Sequence, residues 1–194
     1  MISIEGIDGT GKTVLLEGLR DKLNNKDHCF VNFPTKMFYE KYRELDKDKY
    51  REEEYFEEVN RLQTEDKEFF YEYWKQNGKK IMFCDRYDVT QKVYDGSSLG
   101  KQTIDLDVKS DLVIYLSADM ETILNRIDER GEEDCLGYEE EERLKELEKR
   151  YERILEEEYQ GKYKVIEIGS EDTIEDVLYL VLNYLHENDV LENI

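Results

Sequence analysis

Met1-Ile2-Ser3-Ile4-Glu5-Gly6-Ile7-Asp8-Gly9-Thr10-Gly11-Lys12-Thr13 opens the chain and decides its fold. An apolar run of strand type ends at Glu5 and a glycine-rich turn follows. Leu15, Leu16, Leu19 and Leu23 then recur at helical spacing. Residues 6–13 match GxxxxGK(S/T) at every position, in the strand, loop and helix setting that gives the pattern its physical sense. Glycines let backbone N–H groups wrap phosphates, and the helix N-terminus adds partial positive charge. Lys12 reaches the outer phosphates, and the Thr13 hydroxyl is placed to ligate Mg²⁺. The segment therefore predicts an ATP site made by Gly6, Asp8, Gly9, Thr10, Gly11, Lys12 and Thr13, with Mg²⁺ as the accompanying ion.

Working outward, four further apolar runs stand at Cys29 to Phe33, Ile81 to Cys84, Leu112 to Leu116 and Val165 to Ile168. Longer stretches with helical spacing separate them, for example Leu144, Leu147, Tyr151, Ile154 and Leu155. Alternating strands and helices imply a parallel sheet, because right-handed crossovers carry helices onto its faces. The expected architecture is α/β, a three-layer P-loop NTPase sandwich with a parallel five-stranded sheet and a lid segment. A chain of 194 residues supplies one core, so a single domain is expected over 1–194, with the lid at approximately 130–142. Glu132 to Glu142 is the most acidic stretch, broken by Gly131 and Gly137, and reads as a loop entering a helix. Asn77-Gly78 should end a long helix that begins near Arg51, and Pro34 closes the second strand.

The formal charge of -21 opposes binding to DNA or RNA, since phosphate neutralisation needs a basic face that no linear run provides. The same field opposes small phosphorylated ligands, so a nucleotide site must keep its basic residues inside a shielded cleft. Cys29, Cys84 and Cys135 are widely spaced and read as reduced, structural thiols. The N-terminus shows no basic region followed by an apolar span, which predicts a cytoplasmic protein with no membrane partner.

Asp85-Arg86 follows the third apolar run, at the strand end where parallel sheets present ligands. Asp85 is placed to hold a water of the Mg²⁺ shell, and Arg86 to bridge phosphates. On a helix begun at Asp85, Tyr94 falls near the same face as both.

Glu5 to Thr13 resembles the P-loop of thymidylate kinases, and Asp85-Arg86-Tyr87 with Thr90 and Tyr94 resembles that family's Asp-Arg-Tyr segment. Leu112 to Ala118 followed by Arg126 and Arg130-Gly131 resembles the fourth strand and the helix entering the family's lid. The resemblance spans nearly the whole chain. It implies transfer of the γ-phosphoryl of ATP to a deoxynucleoside monophosphate, dTMP giving dTDP, in a dTTP-forming kinase; a homodimer is implied by the family only. It further implies that Asp8 meets the 3′-hydroxyl and that Tyr94 fills the space below C2′, with Thr90 and Gln91 also on the acceptor side. Phe33 is placed near the base, and Lys36 takes the place of an arginine on the acceptor phosphate. For the base-reading cation two registers stay open: Asn60-Arg61, with Glu57 where the family has an aromatic residue, and Asp66-Lys67, with Gln63 there. Gly9 stands where some members carry arginine, and the lid's usual Asp-Arg pair reads Asp134-Cys135. That leaves Arg126 and Arg130, with Arg143 more distant, to join Lys12, Asp85 and Arg86 in catalysis. A deoxynucleoside kinase of the same fold is one alternative, and a nucleotide-binding regulatory module with little turnover is another.

Overall fold

The computed structural model describes residues 1–23, 27–45, 53–78, 80–95, 108–131 and 140–191. Five strands form one parallel sheet: β1 (Ile2–Glu5), β2 (His28–Asn32), β3 (Ile81–Asp85), β4 (Leu112–Ala118) and β5 (Tyr163–Ile168), in the order β2-β3-β1-β4-β5. The seven helices described are α1 (Lys12–Lys22), α2 (Lys36–Arg43), α3 (Glu53–Asn77), α4 (Asp88–Asp95), α5 (Met120–Arg130), α6 (Glu141–Glu158) and α7 (Ile174–Glu187). Helix α1 packs against α7, and α4 against α6, so the expected α/β sandwich and its five strands are observed.

Every residue of β1 is buried although Ile2-Ser3-Ile4-Glu5 alternates apolar and polar residues, so burial on both faces of this central strand takes Ser3 and Glu5 out of water along with the isoleucines. The register sets Ile4 beside Asp85 and Glu5 beside Tyr115, so the two carboxylates of the expected site region stand at neighbouring strand ends. Leu15, Leu16 and Leu19 turn one face of α1 into the core, each side chain contributing roughly 1.5–3 kcal/mol by leaving water. A second, smaller cluster of Cys29, Phe33, Phe70, Met82, Cys84 and Tyr87 fills the space between the β2–β3 edge and α3. Cys29 and Cys84 are buried free thiols, while Cys135 lies outside the described residues.

Two expectations need adjustment. Strand β3 runs on to Asp85, and α4 begins at Asp88, not at Asp85. The intervening Arg86 has a left-handed backbone, φ 63°, which turns the chain sharply out of the sheet. Residues 132–139 of the expected lid, including Asp134 and Cys135, lie outside the described residues, as do residues 51–52 before α3. The two ends of α5 agree with their local signals. Asp119 caps α5 by accepting the Thr122 N–H at 2.8 Å, and Gly131 ends that helix at φ 61°.

Candidate active site

A cleft of about 850 Å³ opens at the C-terminal ends of the strands. Residues 8–15 line one side, and Asn32, Phe33, Pro34 and Lys36 line another. Asp85 and Arg86 also line it, with Arg126 and Arg130 from α5 and Ile168, Asp172, Thr173, Ile174 and Val177 from the β5–α7 connection.

The loop after β1 is built for close backbone approach. A Cβ on Gly6 would stand 2.6 Å from the Leu116 carbonyl oxygen, and one on Gly9 would stand 2.9 Å from that of Ile123. Gly9 therefore lets α5 rest directly on the loop, and α5 is the element that carries Arg126 and Arg130 into the cleft. Thr10 Oγ1 and Lys12 Nζ both donate to the Ile7 carbonyl, at 2.9 and 2.7 Å. Burial pulls the Lys12 ammonium down to about 8, helped by Arg86 and resisted by Asp8, Asp85 and Glu5.

Thr13 Oγ1 donates to Asp85 Oδ2 at 2.6 Å, and Asn32 Nδ2 reaches the same oxygen at 3.3 Å. The hydroxyl and the carboxylate thus form a hard oxygen pair beside Lys12, the donor chemistry Mg²⁺ requires when its remaining ligands are water and phosphate. These residues fit the ion that the motif implies.

Beyond them lies a second polar group. Arg86 donates to Asp8 Oδ1 at 2.6 Å and stands over the Tyr94 ring at 5.3 Å, while Tyr94 donates to Asp8 Oδ2 at 3.3 Å. Burial alone would raise the Asp8 carboxyl; the charges of Arg86, Lys12 and Arg130 instead hold it at about 2. Asp8, Arg86 and Tyr94 do meet, but through the turn at Arg86 and not through a shared helix face.

Other sequence candidates fall elsewhere. Thr90 is on α4 with its hydroxyl bonded to Glu5 and, at 2.6 Å, to Tyr151, so it faces the protein interior. Gln91 is buried, and neither end of its amide has a hydrogen-bond partner among the described residues; it does not line the cleft. Arg61 is on the exposed side of α3, paired with Glu58 and Glu65, while Lys67 does not line the cleft either. Asp66 is fully buried and accepts from the Thr35 N–H at 3.0 Å and the Thr35 hydroxyl at 2.6 Å, fixing the turn after Phe33-Pro34. The side chain of Gln63 lies outside the described residues. Arg143 pairs with Glu146 at 2.7 Å on α6.

Sequence reading passed over two parts of the site. One is the β5–α7 connection, signalled by Thr173 and Asp176, which form a capping box at the start of α7. The other is Glu5, a carboxylate at the end of a strand buried along its whole length. Burial pushes Glu5 up to about 8 and Asp88 adds to this, against the Thr90 hydrogen bond and the Arg86 charge. Between pH 4.5 and 8 the folded protein then binds a proton that the unfolded chain has released. The Glu5 contribution to stability is therefore full below pH 4.5, is lost as pH rises to about 8, and is constant above. Glu5→Gln should flatten that part of the profile, as measured by urea unfolding at pH 5, 6.5 and 8; a slope equal to that of the wild type would refute the assignment.

A phosphate-wrapping loop, a lysine within it, a Thr13–Asp85 pair and cleft arginines on a 2-3-1-4-5 parallel sheet define an ATP-dependent phosphotransferase of the P-loop class. A sequence profile described as thymidylate kinase matches residues 4–179, and the chain belongs to that family. No curated protein sequence matches the chain. Among solved structures it is similar to thymidylate kinase from Candida albicans, with TM-score 0.63 and 18% identity over 99% of this chain and 94% of that one. It is also similar to deoxyadenosine kinase from M. mycoides, with TM-score 0.64 and 20% identity over 96% of this chain and 98% of that one, in a structure with the products dCMP and dCDP. The same enzyme with bound dATP gives TM-score 0.64 and 21% identity over 95% and 98% of the two chains. Among the described residues no helix is long and apolar enough to cross a membrane.

Proposed function

We propose that the chain transfers the γ-phosphoryl of ATP to a deoxynucleoside monophosphate, with dTMP as the acceptor. The observation that carries this reading is the state of the carboxylates along the cleft. Asp8 is held by Arg86, Asp85 by Thr13, and Asp172 accepts the Gly169 N–H at 2.6 Å. A nucleoside 5′-hydroxyl must lose a proton as it attacks, which calls for an available carboxylate base; a phosphate acceptor is already ionised. At the end of β2, where such a base would stand, the cleft presents Phe33, Pro34 and Lys36. Glu40 and Glu44 on the following segment are exposed and do not line the cleft.

In this reading the loop N–H groups and Lys12 bind the triphosphate, and Thr13 with Asp85 would hold Mg²⁺, which neutralises charge on the phosphates when bound. Arg86, Arg126 and Arg130 follow negative charge onto the moving group. Lys36 receives the acceptor phosphate, Phe33 lies along the base, and Asp8 takes the 3′-hydroxyl. Tyr94, held by Asp8 and Arg86, is the residue that would exclude a 2′-hydroxyl.

Thymidine and dTMP are to be compared under identical MgATP conditions, with UMP and dUMP and with a Lys36→Ala variant. We expect dTMP to be the faster substrate and its KM to rise about tenfold in Lys36→Ala, the loss of one charge-assisted hydrogen bond. Faster phosphorylation of thymidine would assign a nucleoside kinase instead, and ATP hydrolysis with no phosphorylated product a regulatory module. Equal efficiency on UMP and dUMP would remove Tyr94 from sugar selection.

A further inference from the structure

The first turn of α4 is capped by a residue more than eighty positions away. A helix start leaves the N–H groups of its cap residue and of its third residue in need of acceptors, and a capping box normally supplies both locally. Here Glu5, at the end of β1, supplies both. Its Oε1 accepts the Tyr87 N–H at 2.9 Å, and its Oε2 accepts the Thr90 N–H at 3.1 Å and the Thr90 hydroxyl. Thr90 Oγ1 also meets the Tyr151 hydroxyl of α6 at 2.6 Å. Glu5 and Tyr151 are both fully buried.

Arg86 is bracketed by this arrangement. Its own N–H donates to the Ile4 carbonyl at 2.9 Å, and the next N–H in the chain is the one that Glu5 holds. A non-glycine residue in the left-handed region persists only where its surroundings over-determine it, and β1 provides that constraint on both sides of Arg86. The side chain so aimed is the one that meets Asp8, the Gly6 carbonyl and Tyr94.

We propose that Glu5 is a positioning residue for phosphoryl transfer, setting the direction of the Arg86 guanidinium, and that the Thr90–Tyr151 contact extends this control to α6. The proposal rests on the reading that Arg86 stabilises the transferring group. A carboxylate that merely held the fold together would act on stability and on every substrate constant alike. One that acts through Arg86 must lose its effect on turnover once the guanidinium has gone.

The test is a pair of double-mutant cycles on the full chain, Glu5→Gln and Tyr151→Phe each crossed with Arg86→Lys, reading kcat, both KM values and melting temperature. Glu5→Gln should lower kcat about 10- to 100-fold, the cost of a misplaced catalytic group, with each KM within about threefold of wild type. Tyr151→Phe, which removes one hydroxyl and leaves the ring packed, should lower kcat about threefold. In the Arg86→Lys background both effects should shrink below about twofold. Effects on kcat that multiply unchanged in that background would overturn the positioning role while leaving the function intact. Wild-type turnover by Arg86→Lys itself would overturn both the positioning role and the part given to Arg86 in the transfer. Should Glu5→Gln fail to fold, Tyr151→Phe and Thr90→Val carry the same cycle.

Discussion

Lys12→Ala should lower phosphoryl transfer by about a hundred- to a thousandfold, with little change in melting temperature. The magnitude follows from its place in the loop: it is the cation aimed from the loop at the outer phosphates, and removing one pre-placed donor to developing charge costs about 10²–10³ in rate. The small effect on stability follows from its present contacts. Lys12 is buried with its ammonium pulled down by desolvation, and the Ile7 carbonyl that it caps also accepts from Thr10 Oγ1, so the loop keeps a bond when the lysine is lost. Steady-state turnover with MgATP, read beside a thermal melt, checks both halves. Turnover near that of the wild type would remove the loop from the chemistry altogether.

Arg86→Gly should be nearly as damaging, about a thousandfold, by analogy with arginines that stabilise a transferring phosphoryl group and are worth about 10³–10⁵. Glycine is the informative replacement because φ 63° at this position is strained for arginine and free for glycine. Relief of the backbone offsets the lost ion pair to Asp8, so the melting temperature should move by no more than about 4 °C, the equivalent of roughly 1–2 kcal/mol for a domain of this size. Retained turnover in a folded Arg86→Gly would show that the guanidinium is not needed. A collapse of stability would show that it is chiefly a structural tie.

The parts of the site that were legible in the sequence are those whose geometry is local. Gly6 to Thr13 folds as one loop on one helix, so spacing alone placed Lys12 and Thr13. Asp85 was legible because it ends an apolar run. Pairings that cross the fold left no such trace: Asp8 and Arg86 are 78 positions apart, and Thr35 and Asp66 are joined only because α3 lies over the β2 end. Nor does the partner of the Thr90 hydroxyl, the buried Glu5, appear on any helical wheel of α4. The partners of Arg61, by contrast, are local. Glu58 and Glu65 stand three positions before it and four after, the spacing at which charges pair along a helix surface.

Two cations of the cleft already have partners: Lys12 rests on a carbonyl, and Arg86 is neutralised by Asp8. For these two, nucleotide entry is therefore an exchange reaction, in which a phosphate contact is gained at the expense of one within the protein. Affinity reflects only the difference between the two sets, so a ligand bearing too few phosphates to displace both partners wins almost nothing. The length of the phosphate chain is thus discriminated more sharply than the number of contacts would suggest.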